Sequence, residues 1–251
     1  MMNAIRAEWI KLRTITSTWV LLIVSIVLTL FFSTLLAFVS NRDSGGRRGD
    51  GPAPTIETML TGVGLATFLV GVVAVLLASG DFRFTIRPTF AAEPRRLRVL
   101  LAKMVVVVVA SALSGAVMIT LALGTSSFIL KRRGISLDFN SGGRSTAVGL
   151  LLYMMLFSLA GLAIGNLVRH SAGAIVVLIL WPLLVESILG GLSRNWFSWL
   201  TRWLPFAAGQ RMISFADDTL LFGQWTGGAY FAGFVALLLV LAAVFLRRRD
   251  A

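Results

Sequence analysis

Residues 14–41 read TITSTWVLLIVSIVLTLFFSTLLAFVSN, 28 uncharged positions between Arg13 and Arg42. A bilayer core of about 30 Å is crossed by about 20 apolar residues in a helix, so this run is long enough to span. It also exceeds the apolar region of a secretory signal, about 7 to 15 residues, and is expected to stay in the mature chain. Five more runs repeat the pattern. They lie between Glu57 and Asp81 (23 residues), Lys103 and Lys131 (27), Arg144 and Arg169 (24), Arg169 and Arg194 (24, with His170 and Glu186 inside) and Asp218 and Arg247 (28). Spans are expected at 17–40, 58–80, 100–124, 147–168, 172–192 and 228–246. Val105 to Val109 and Leu237 to Val244 are apolar on every side, where a membrane β-strand would alternate. The expected fold is an all-α membrane protein, one transmembrane domain over 1–251 with six helices.

Composition excludes a water-soluble fold. The 251 residues are 57% hydrophobic and 14% charged, against about 25% charged in soluble domains. Cysteine is absent, which removes disulfide frameworks, thiolate metal sites and thiol nucleophiles. The net charge of +12 sits in short clusters beside apolar runs, a distribution that fits helix orientation and anionic lipid headgroups, not nucleic acid. With a cytoplasmic N-terminus, 13 of the 23 Lys and Arg fall inside, and an even number of spans returns the C-terminus to the same side. The cluster Lys131-Arg132-Arg133, placed outside by this arrangement, argues the other way.

The connections are short. Residues 41–56 and 134–146 read as outer loops, rich in Gly and polar residues. The inner connection, 81–98, mixes Asp81, Arg83, Arg87, Arg95, Arg96 and Arg98 with Phe82, Phe84 and Ile86, and Pro94 suits the first turn of the next helix. A solvated positive-inside loop accounts for the arginines; a protruding elbow that docks on a partner accounts for the aromatic residues as well. At the start of the chain, Ile5, Trp9 and Leu12 fall on one stripe at helical spacing, with Arg6 and Arg13 on one flank and Glu8 on the other.

These residues resemble the ABC-2 type permeases, the membrane subunits of a class of ATP-binding cassette exporters, in the branch common in actinobacteria. The resemblance covers nearly the whole chain. It rests on Glu8-Trp9-Ile10-Lys11-Leu12-Arg13, then Ser17-Thr18-Trp19, then Asp81-Phe82-Arg83, Thr85-Ile86-Arg87, Pro94, Arg96 and Lys103. Asp81 departs from the usual Glu, and the small residue expected before Thr85 is missing. The resemblance implies a permease in a bacterial plasma membrane, with residues 3–13 as an interfacial helix on the cytoplasmic face. It further implies two ATPase subunits as partners, which would carry ATP and Mg, and a second permease, either another copy or a paralogue. Asp81, Phe82, Arg83, Phe84, Thr85, Arg87 and Pro94 would form the coupling elbow. Short amphipathic or re-entrant helices are implied at the outer end.

The chain offers no energy source or catalytic set of its own. It has no phosphate-binding loop, and the dipeptide Gly-Lys is absent. Leu113-Ser114-Gly115 lies inside an apolar span, where small residues serve helix packing; Gly161-x-x-x-Gly165 reads as packing first and a dimer face second. The single histidine, His170, sits in a tight turn with no acid or cysteine nearby and is expected to be structural. No cofactor or metal is expected in this chain. The alternative class is a membrane-embedded enzyme or a polytopic scaffold without transport.

Glu186 is the exception among apolar spans, since an acid near the midplane costs about 2.5–3.5 kcal/mol on insertion scales. Two readings stand: it faces the bundle interior or a transport path, or it reaches interfacial water at the outer end. Pro182 is expected to kink the same helix. Beyond it, Trp196, Trp199 and Trp203 recur at spacings of three and four, as an interfacial anchor or as an outer gate.

Overall fold

The structure, a computed structural model, describes residues 2–40, 55–84, 96–135, 141–193, 203–213 and 223–248. Its helices are α1 (Met2–Thr14), α2 (Thr16–Val39), α3 (Ile56–Met59), α4 (Thr61–Phe84), α5 (Arg96–Arg132), α6 (Ser141–Val168), α7 (Ser171–Leu180), α8 (Glu186–Ser193), α9 (Pro205–Gln210) and α10 (Gln224–Arg248). A π-helical turn, Trp181–Val185, joins α7 to α8. No strand occurs among the described residues. Six stretches are long and apolar enough to cross a membrane: α2, α4, α5, α6, α7 continued into α8, and α10.

The apolar runs locate the spans but not the helix ends. The helix of the second span continues through Phe84, so the backbone of Asp81, Phe82, Arg83 and Phe84 forms its last described turn. The helix of the third starts at Arg96 and reaches Arg132; at 37 residues it is about 55 Å long, well beyond the expected 100–124. Loss of hydropathy ends a span, whereas a helix ends only where its backbone hydrogen bonds end. Pro182, expected to kink the fifth span, sits at the start of the π-turn, where its missing N–H is absorbed by a change of register.

The bundle is built around α4 and α6, whose membrane-length windows are 67% and 61% buried, against 22% to 28% for α2, α5, α7–α8 and α10. Their approach depends on glycine. A Cβ at Gly161 would lie 2.7 Å from the Gly71 carbonyl oxygen, and one at Gly165 would lie 2.7 Å from the Ala78 Cβ. Gly161-x-x-x-Gly165 therefore packs two helices of the same chain. Gly71 also leaves room for the Phe157 ring, which meets Phe68, Tyr153 and Phe206 at centroid distances of 5.1, 5.8 and 5.8 Å.

On α2 the usual pattern is reversed. Its buried positions are Thr18, Ser25, Thr29, Ser33 and Ala37, while Val20, Ile23, Val27, Phe31 and Phe38 face outward. Inside lipid, water no longer drives apolar faces together, and small residues let backbones approach. Gly62 accordingly comes close enough that a Cβ there would lie 2.9 Å from the Thr29 carbonyl oxygen. The end of α2 is closed from a distance: the Arg133 Nη1 donates to the carbonyl oxygens of Ala37 (2.9 Å), Phe38 (2.5 Å) and Ser40 (3.0 Å). These are carbonyls that a helix C-terminus leaves without partners, and a cation there also complements the helix dipole.

Candidate functional site

Two buried acids organise opposite ends of the bundle. At the N-terminal end, Glu8 is 2% exposed. Lys103 Nζ donates to its Oε2 at 2.9 Å and to the Leu77 carbonyl oxygen at 3.0 Å, while Lys11 Nζ donates to its Oε1 at 3.0 Å. Three elements converge there: α1, the last turns of α4 and the base of α5. Leu77 precedes Asp81 by one helical turn, about 6 Å along the axis. Buried charge persists only where it is paired and hydrogen-bonded, and removing one partner of such a pair typically costs about 3–5 kcal/mol.

This geometry corrects the flank reading of α1. Glu8 lies on the buried side, Leu12 is buried and Ile5 and Trp9 pack against the main core. The apolar stripe thus turns toward the chain's own helices, and Glu8 belongs to that face because Lys103 meets it there. Arg13 is exposed, and its carbonyl accepts a bond of 2.8 Å from Trp19 Nε1, which closes the turn between α1 and α2.

At the other end, Glu186 is 5% exposed. Its Oε1 accepts from the Phe206 N–H at 3.1 Å and its Oε2 from the Ala207 N–H at 2.6 Å. These are the first free amides of α9, which Pro205 opens. The carboxylate ties the fifth span to α9. The end of α9 and the turn after it rest in a glycine notch: a Cβ at Gly149 would collide with the Met212 carbonyl oxygen, and one at Gly227 would lie 2.6 Å from the Ala208 carbonyl oxygen. The Gln224 side chain adds a bond of 3.0 Å to the Met212 carbonyl.

The remaining expected residues are placed unevenly. Thr85, Arg87, Pro94, Trp196 and Trp199 lie outside the described residues. Trp203 is 52% exposed, its ring edge-on to Tyr230 at 6.2 Å, and the Tyr230 hydroxyl donates to its carbonyl at 2.9 Å. His170 caps α7, its Nδ1 accepting from the Gly173 N–H at 3.2 Å, the structural role expected of it. Two residues with clear roles were not singled out as sites in the sequence, Lys103 and Arg133. Arg133 stood only as part of a cluster that opposed the orientation, yet it closes α2. Among the described residues, no group of three His, Cys, Asp or Glu is placed to hold a metal. Compared with family models and with curated proteins, the chain matches none.

Proposed function

We propose that this chain is the permease subunit of an ATP-binding cassette exporter of the ABC-2 type, working with a second permease and two separate ATPase subunits in a bacterial plasma membrane. One observation carries the reading. The Glu8-Trp9-x-Lys11-Leu12-Arg13 stretch and the motif that runs from Asp81 to Lys103 were matched separately, and their charged ends meet in one buried pair, Glu8 with Lys103, 95 positions apart. A permease has to convert ATPase closure into movement of its spans. The pair supports that role by joining α1 to the two helix ends that flank the 81–98 connection, so a push on that connection moves all three as a body. The far end of the motion would be α9, bound to the fifth span by Glu186, with the tryptophans beyond it as the outer gate. The chain catalyses nothing itself; ATP and Mg belong to the ATPase.

The test is co-expression with the products of neighbouring reading frames and purification in mild detergent. An ATPase should co-elute. Phe82→Ala should weaken its retention about thirtyfold, the effect of removing an anchor worth about 2 kcal/mol, while the permease still inserts. Arg98→Ala should leave retention unchanged. A solitary chain with hydrolytic activity of its own would return the function to the enzyme class.

A further inference from the structure

The end of α5 farthest from α1 carries a charged face that the exporter reading does not use. Val117, Leu121 and Phe128 are exposed, and so are Lys131 and Arg132 in the last turn. Their spacings place all five on one side of the helix. Val117 lies midway between Lys103 and Lys131, the charges that bound this span. From there to Arg132 the rise is about 22 Å, half of the roughly 40–45 Å that a bilayer measures with its headgroups. The face therefore has the length of one leaflet, apolar from the midplane outward and cationic at headgroup level.

The two cations stand on a fixed turn. Gly134 takes φ 69° and the Ile135 N–H donates to the Leu130 carbonyl oxygen at 3.0 Å, the pattern of a glycine-closed helix end. Leu130 and Ile135 are buried together beneath it, and Arg133 is committed to the carbonyls of α2. Lys131 and Arg132 are left facing outward. The Arg132 guanidinium lies over the Phe128 ring, and among the described residues no acid pairs with either cation. From Arg96 to Arg132, α5 itself contains no Asp or Glu. A basic residue anywhere in the last turn would complement the helix dipole; that role does not require two of them above an exposed apolar stripe.

We propose that this face binds one anionic phospholipid, its phosphate held by Lys131 and Arg132 and one acyl chain lying along Phe128, Leu121 and Val117. Both side chains donate to phosphate oxygens, and the contact is charge-assisted. A second copy of this chain is the other occupant that an apolar stripe could take. Two chains inserted the same way and joined here by a twofold axis would set Lys131 and Arg132 against their own counterparts, and like charges in contact oppose the pairing. A phospholipid brings the opposite charge to the same level.

The test uses the purified full chain in nanodiscs of phosphatidylcholine that contain a small fraction of phosphatidylglycerol brominated at mid-chain, or the same fraction of brominated phosphatidylcholine. Because the chain lacks cysteine, a bimane fluorophore can be placed at Gly124→Cys, on the same face and about 10 Å below Lys131. Its quenching should favour phosphatidylglycerol by about fivefold for each cation. A bimane at Gly233→Cys on α10 should not distinguish the two lipids. Lys131→Gln should lower the preference about fivefold, and adding Arg132→Gln should abolish it; both side chains are exposed, so these variants should fold. Equal quenching by the two lipids in the starting chain would mean that the cations only complement the helix dipole. A preference that survives the double substitution would place the lipid elsewhere. A disulfide between two copies of unlabelled Gly124→Cys under mild oxidation would mean that a second chain covers the face. Each of these results overturns the site and leaves the exporter reading, judged by co-elution of an ATPase, untouched.

Discussion

Glu186 and Glu8 show how an acid is kept in an apolar bundle, by two different solutions. Glu186 is held by backbone amides and Glu8 by ammonium groups. Glu186→Leu should therefore lower stability by about 2 kcal/mol, since bonds to a charged group are worth about 1.5–3 kcal/mol each and part is offset by the lost cost of burying the charge. Glu186→Gln keeps one acceptor and should fall between, as read by thermal unfolding in detergent. For the other acid, a double-mutant cycle with Glu8→Gln and Lys103→Met should give a coupling of about 1–3 kcal/mol; additive effects would mean that the pair contributes no more than its separate surroundings. The sequence announces that Glu186 needs a partner, because its neighbours are apolar. It does not reveal that the partners are N–H groups 20 and 21 positions on, since backbone donors carry no signature in the residue type.

At the scale of elements, the spans were legible and their contacts were not. A run without charge is a one-dimensional property, and six such runs became six membrane-length helices. Which helices lie at the centre depends on small residues, and α4 carries four glycines where α2 has none and α5 two, a signal whose meaning appears only when Gly71 is seen opposite Gly161. The reversed face of α2 was present in the spacing of Ser25, Thr29, Ser33 and Ala37, a repeat of four that a search for apolar stripes passes over. Gly161→Val should cost at least about 2 kcal/mol, because the atom it meets is a backbone oxygen that cannot move aside. Gly233→Ala on α10, where a Cβ meets nothing within 4 Å, should stay within about 0.5 kcal/mol of wild type. Comparable melting temperatures for the two variants would remove the glycine contact from the account of why α4 and α6 pack.

At the scale of the whole molecule, orientation is the property that charge counting settles least. The arginine that opposed a cytoplasmic N-terminus is bonded to three carbonyls of α2, and Arg132 lies 4.5 Å from the centre of the Phe128 ring. Two of the three charges in that cluster thus have local work that a rule based on loop charge does not weigh. In this cysteine-free chain, Ser44→Cys and Ser141→Cys should react with a membrane-impermeant reagent added from outside, and Ala251→Cys should not; the opposite pattern would invert the topology and put the 81–98 connection on the wrong side for an ATPase. The link between Glu8 and Lys103 also sets a schedule. Synthesis proceeds from the N-terminus at roughly 5–20 residues per second, so Glu8 leaves the ribosome roughly 5–20 s before Lys103. During that interval α1 carries an acid whose buried partner does not yet exist, and only Lys11 on its own helix and water can hold it. The first helix can settle onto the bundle only when the third span arrives, which makes the earliest segment of the chain wait for a helix made well after it.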